Sequence, residues 1–384
     1  MPLDKALFFK SLADALENKI EKKEAVIGIT LLGSEHPAEM IATASKRVEK
    51  ALGIKVIAIG PEDIAKKAGL SFERAESLEE AHRVMEGLLD SDKIDAAVTM
   101  HYNFPIGVST VGRVITPARG KSMLIATTTG TSSPNRVEAM VKNAVYGIIT
   151  AKALGIENPS IGILNVDGAR QVERALKRLS ERGYEINFAS SIRADGGCVM
   201  RGNDLLSGSC DVMVTDTLTG NLLIKIFSAF TTGGDYEALG WGYGPGIGEN
   251  YERLILILSR ASGAPVVEGA IQFAAELVKG NIKRIAKEEF EKAKKAGLEE
   301  ILEEIRGKKE EKEAEKEVAP PPKKGVTEEI SGIDVLEIEN AVLTLWKKGI
   351  YAESGMGCTG PVILVAEEDL EKAIMVLKGA GYIG

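Results

Sequence analysis

Three cysteines and three histidines among 384 residues leave little from which to build a metal centre. Cys198, Cys210 and Cys358 are too widely spaced for a zinc knuckle or a CxxC redox pair, and their odd number argues against a disulfide framework. His36, His82 and His101 do not fall at helical metal-ligand spacing, so no metal site is expected. Positive charge is also in deficit: 48 basic residues face 56 acidic ones, a formal charge of −8, which argues against a nucleic-acid backbone as partner. There is no uninterrupted apolar run near membrane-spanning length, and Met1-Pro2-Leu3-Asp4-Lys5 opens no signal-like apolar segment, so the expectation is cytoplasmic residence with no membrane partner. Nucleotide motifs fail on inspection. Gly120-Lys121-Ser122 resembles the end of a P-loop, but Ile115 stands where its first glycine is needed; Gly242 to Gly248 lacks GxGxxG spacing and reads as a connecting or substrate-lining loop.

What the chain does have is apolar content, 44 % of residues, enough for two or three ordinary domains. An opening helix to about residue 22 precedes an apolar β-branched run at 24–32, which stops at Gly33 and leads through His36-Pro37 into a helical pattern. Strands at 55–59, 95–99 and 122–128 and a helix at 133–154 continue the alternation. A second series starts with a strand at Ile161-Gly162-Ile163-Leu164-Asn165, a crossover helix at 171–183, strands at 185–189 and 211–216, and a helix starting near Gly220. Such repeated units predict an α/β fold, a largely parallel sheet with helices on both faces. Between Glu303 and Glu317 twelve of fifteen residues are charged, and Pro320-Pro321-Pro322 follows, which marks a solvated helix fraying into a linker. The expected organisation is an α/β domain at 1–285 with lobes 1–155 and 156–285, a charged helix and proline-containing linker at 286–330, and a small α+β module at 331–384. A flexible linker of ~20 residues reaches roughly 25 Å, enough to move that module across the surface of the main body.

The module carries Ser354-Gly355-Met356-Gly357-Cys358-Thr359-Gly360-Pro361, three glycines around one thiol. Gly355, Gly357 and Gly360 allow close backbone approach, and N–H groups aimed inward favour a thiolate at Cys358 that can be acylated; alternatively the glycines serve turn geometry and the thiol is inert. His36, ahead of a helix start, either meets an anionic group or is a surface loop residue. Asp216, Gly220, Asn221 and Lys225 join a strand to a helix and are candidates to hold phosphate, with plain capping as the other reading. Asn165 has the same two readings; Asn103, Arg113, Arg119 and Arg193 are further candidate phosphate contacts. Cys198, in a Gly-Gly-Cys turn, is a possible second thiol, or simply packed.

Residues 141–179 and 211–225 resemble the phosphate acyltransferase of bacterial phospholipid synthesis, and Gly33-Ser34-Glu35-His36-Pro37 is similar to that family's Gly-Gly-Asp-His-Ala-Pro turn, shorter here and with serine for a glycine. Thr217 stands where that family usually has glycine. A closer resemblance covers essentially the whole chain: Thr99-Met100-His101-Tyr102, Arg193-Ala194-Asp195-Gly196-Gly197-Cys198 and Gly355-Met356-Gly357-Cys358-Thr359-Gly360-Pro361 resemble the component C alpha-subunit family of glycine/sarcosine/betaine reductase. That resemblance implies an isopropylmalate dehydrogenase-like or phosphate acyltransferase-like fold and a place in a hetero-oligomer of anaerobic amino-acid fermentation. It implies a component C beta subunit and a selenoprotein component A carrying a carboxymethyl group as partners. It also implies an acetyl thioester at the position of Cys358 that inorganic phosphate releases as acetyl phosphate, with phosphate as substrate and no cofactor. An ordinary acyl-carrier phosphate acyltransferase and a non-catalytic assembly subunit are the alternatives.

Overall fold

The computed structural model describes residues 24–192, 196–306, 318–331, 333, 338–357, 360–380 and 382–383. The expected opening helix and the most charged part of the linker, residues 307–317, lie outside the described residues, as do Arg193, Cys358 and Thr359.

The apolar runs found in the sequence become the centre of one 12-stranded sheet. Its first half is built from β1 (Val26–Thr30), α1 (Ala38–Leu52), β2 (Lys55–Gly60), α2 (Glu62–Ala68), β3 (Ser71–Arg74), α3 (Leu78–Asp90) and β4 (Ala96–Thr99). These strands are all parallel, in the order β3-β2-β1-β4. The chain then forms an antiparallel hairpin, β5 (Val108–Ile115) and β6 (Ser122–Thr131), followed by α4 (Arg136–Ala153), β7 (Ser160–Leu164), α5 (Ala169–Glu181), β8 (Asn187–Phe188), β9 (Val199–Met200), α6 (Gly202–Ser207), β10 (Val212–Val214) and α7 (Thr217–Ala229). Here β6, β10, β7, β8 and β9 are joined by parallel pairings. Successive strand residues alternate between two cores, as two-faced burial requires: Leu124 and Ala126 pack into one and Met123 and Ile125 into the other.

The halves are joined by strands that sequence reading left as loop. β11 (Gly244–Ile247) pairs antiparallel with β5 on one side and with β12 (Ile255–Ile257) on the other, and β12 then lies parallel to β4. The glycine-rich stretch at 242–248 is therefore a central strand. Its composition follows from crowding: a Cβ at Gly244, where φ is +83°, would stand 1.8 Å from the Val111 carbonyl oxygen. After β12, α8 (Ala264–Lys279) packs back on α1.

The charged segment then begins as two packed helices, α9 (Ile282–Lys295) and α10 (Leu298–Arg306), lying on α4 and α5. Their apolar stripe (Ile282, Ala293, Leu298, Ile301, Leu302) is buried. Buried Glu289 accepts from the Tyr184 hydroxyl at 3.1 Å and pairs with Lys152 at 2.9 Å, while Arg306 forms a fork on buried Glu138 at 2.8 and 2.9 Å. High charge content had concealed this amphipathic face.

The C-terminal module comprises β13 (Glu328–Ile330), α11 (Ile338–Lys347), β14 (Ala352–Gly357), β15 (Gly360–Val365) and α12 (Leu370–Gly379), with the antiparallel sheet order β13-β15-β14. It has its own core, in which Ile338, Leu345, Ile363 and Leu377 are buried. β14 and β15 are longer than expected, pairing down to Gly357 opposite Gly360. Gly355 and Gly357 therefore belong to a strand rather than to a loop, and Gly360 opens the next one.

Candidate functional site

In α/β sheets, ligands collect where strands end and helices begin. Here the ends of β6, β7 and β10 each feed a helix, and three N-termini come together. α4 is capped by Asn135, whose side-chain oxygen accepts from the N–H groups of Val137 and Glu138. α7 is capped by Asp216, which accepts from the Thr219 N–H at 3.0 Å and its hydroxyl at 2.7 Å. α5 starts at left-handed Gly168 with no side-chain cap; the Ala169, Gln171 and Val172 N–H groups donate to the Val166 and Gly168 carbonyls, and Gly168 lies against Val137 of α4. Arg136 bridges the set, donating to Asp216 at 2.9 Å and lying 3.7 Å from Asp167. Exposed Asn165 ends β7 at the same place.

Electrostatically, this corner combines one guanidinium, three helix N-termini and two carboxylates. Burial raises the Asp216 pKa, but the two Thr219 donors and Arg136 outweigh it and hold the carboxyl below its usual value. Beneath lies a dry polar floor: buried Asn143 accepts from Ser109 at 3.1 Å and Ser132 at 2.8 Å and donates to the Thr215 carbonyl at 3.1 Å. Those bonds pin the ends of β6 and β10 together.

Arg136 was missed by sequence reading, although a signal existed: an arginine in the first helical position opposes the helix dipole, so an anion or acid must be near it. Asp216 and Asn165 follow the paired ends of the neighbouring strands β10 and β7. The other candidates are committed elsewhere. Gly220 is flat against β6, since a Cβ would stand 1.7 Å from the Thr127 carbonyl oxygen, and Asn221 donates to the Thr128 carbonyl at 3.1 Å. Lys225 lies further along α7, 3.9 Å from buried Glu237, which also accepts from Tyr243 and Ser262. His36 precedes α1, with Nε2 3.3 Å from the Ala261 carbonyl and its ring edge-on to Tyr236. Tyr236 follows the C-terminal end of α7, the end opposite Asp216. Arg113 stacks on Trp241 and pairs with Glu276 at 2.7 Å, and Asn103 donates to Glu329 of the module at 2.7 Å.

Two of the thiols are packed. Cys198 donates to Glu173 at 3.6 Å, and burial followed by that carboxylate pushes its pKa up to about 11; burial pushes Cys210 up to about 12. Glu173 itself is lowered to about 2, because Arg170 and Lys177 overcome its burial. Among the described residues, no group of three or more His, Cys, Asp or Glu side chains could hold a metal, and no helix is long and apolar enough to cross a membrane.

Comparison with known proteins places the chain. Residues 25–364 match the family described as fatty acid synthesis protein. The chain is 58 % identical, over 98 % of its length and 97 % of the relative's, to the glycine/sarcosine/betaine reductase complex component C subunit alpha of Peptoclostridium acidaminophilum. The chain belongs to this family. A phosphate acyltransferase of Thermotoga maritima is 28 % identical over 52 % of this chain and 68 % of its own length, a distant relationship. Among solved structures, 4-hydroxythreonine-4-phosphate dehydrogenase from Klebsiella pneumoniae aligns with a TM-score of 0.44 at 12 % identity, covering 66 % of this chain and all of that one.

Proposed function

We propose that this chain is the alpha subunit of component C in a glycine/sarcosine/betaine reductase complex, an acyltransferase that holds an acetyl group on Cys358 and releases it to inorganic phosphate. The observation that carries the reading is the 58 % identity to such a subunit across nearly the whole of both chains. In the proposed step a phosphate oxygen attacks the thioester carbonyl carbon, a C–O bond forms, and the tetrahedral oxyanion collapses with cleavage of the C–S bond. Acetyl phosphate leaves, and the sulfur takes up the proton that phosphate gives up. On this reading the phosphate dianion is held at the corner around Arg136, where three helix N-termini meet and whose guanidinium it would share with Asp216 and Asp167. No cofactor is needed for this transfer.

The partners on this reading are a beta subunit of the same component and a selenoprotein that delivers the two-carbon unit, in the cytoplasm. A subunit role also accounts for Leu218, Leu222, Ile226 and Phe230, an exposed apolar row at four-residue spacing along α7 and the turn after it. The test is mass spectrometry of the protein, alone and with its partner subunit, after incubation with acetyl phosphate. One acetyl group on the peptide bearing Cys358, removed by phosphate and missing from Cys358→Ser, is the expected result. Turnover that survives Cys358→Ser would instead indicate an ordinary phosphate acyltransferase, and the proposal would fall.

A further inference from the structure

Among the described residues, the cysteine-bearing module meets the main body at a loop, residues 101–106, which leaves the end of β4 and leads into β5. The Asn103 side-chain amide donates to Glu329 Oε1 of β13 at 2.7 Å, and His101 Nε2 stands 3.8 Å from the same oxygen. Ile106 packs against the module's apolar core. Gly355 of β14 faces Asn103 so closely that a Cβ there would lie 3.6 Å from the Asn103 Cβ. Gly355 is three residues before Cys358, and Gly107, directly after the loop, donates its N–H to the Thr131 carbonyl at the end of β6 at 2.8 Å. The loop thus joins the hairpin strand leading to the thiol with the strand leading to the Arg136 corner.

We infer that the 101–106 loop is the docking platform of the module, and that Asn103 and Glu329 are positioning residues which present the Cys358 thioester to the main body for phosphorolysis. The inference rests on the carrier role proposed for Cys358. On the body's side the described contacts are a neutral amide and an imidazole facing one carboxylate, backed by the aliphatic Ile106, a small polar junction. It holds without covalent attachment beyond the linker, so it sets where the module rests without preventing its release.

The pair is tested by charge. In Asn103→Lys, a zero-length carbodiimide should join position 103 to Glu329, giving one crosslinked peptide that disappears when Glu329→Gln is added. Asn103→Asp, which opposes two carboxylates, should slow phosphate-dependent loss of acetyl from Cys358 at least tenfold, and adding Glu329→Lys should restore most of the rate by reversing the pair. Circular dichroism melting curves confirm that each variant is folded. Absence of the crosslink in folded Asn103→Lys, or full-speed deacetylation in Asn103→Asp, would overturn the proposal. If the crosslink forms but Cys358 never carries acetyl, the carrier reading fails and the presentation role falls with it. Normal acetylation without the crosslink removes the dock alone.

Discussion

Arg136 offers the sharpest test of the corner where α4, α5 and α7 begin. Replacing it with glutamine keeps a hydrogen-bonding group of comparable reach and removes the charge. A hydrogen bond to a charged partner contributes about 1.5–3 kcal/mol when well enclosed. The Arg136 side chain is 46 % exposed, so water competes for it. A contribution of about 1–2 kcal/mol is the reasonable range, which at 1.4 kcal/mol per factor of ten is about 5- to 30-fold in affinity. The Michaelis constant for phosphate in acetyl phosphate formation should rise by that factor in Arg136→Gln, with a smaller change in kcat. Asp167 provides an internal control of opposite sign. Its carboxylate is 98 % exposed and lies 3.7 Å from the guanidinium, so Asp167→Asn should tighten phosphate binding by no more than about threefold, an effect that fades with added salt. An Arg136→Gln enzyme with an unchanged phosphate constant would show that phosphate binds elsewhere.

Gly220→Ala is a test by sign: alanine in an unobstructed helix gains about 1 kcal/mol over glycine, whereas a Cβ driven into the Thr127 carbonyl must push α7 off β6 at a cost of about 1–3 kcal/mol. The urea midpoint should therefore fall, and a rise would contradict the packing. Cys198, with a folded pKa of about 11 against an unfolded value near 9, binds its proton more tightly when folded. Its contribution to stability is complete below about pH 9 and is lost as the pH climbs through 11. At pH 8 its alkylation in the folded protein should be about a hundredfold slower than in the urea-unfolded chain, as followed by peptide mapping; equal rates would refute the buried, protonated thiol.

The parallel strands were legible because they are buried on both faces, which writes continuous apolar runs such as Ile161 to Leu164 into the sequence. β11 was not, since crowding selects glycine and proline there, the residues that otherwise announce a loop. α9 and α10 were obscured by a different cause: a narrow buried stripe suffices when the remaining face is covered with lysine and glutamate, so composition alone reads as solvated. For the site, Asp216 and Asn165 were visible as polar residues directly after strands. Arg136 was not, because its partner Asp216 is 80 residues away and only the fold brings them into contact. Likewise the contact of Asn103 with Glu329, 226 residues later, was not legible in the sequence.

The route of the chain through the sheet has a mechanical consequence. Two lobes strung on a single connector swing about that connector at little cost. Here the polypeptide passes from the first half to the second after β4, returns through β11 and β12 to β4 and α1, and crosses again from α8 to α9. Any hinging of the two halves has to bend all three crossings together and shear the ladder that β11 makes with β5 and β12. The main body is accordingly a stiff frame, so if the proposed acyl transfer needs a large displacement, the small C-terminal unit would have to supply it.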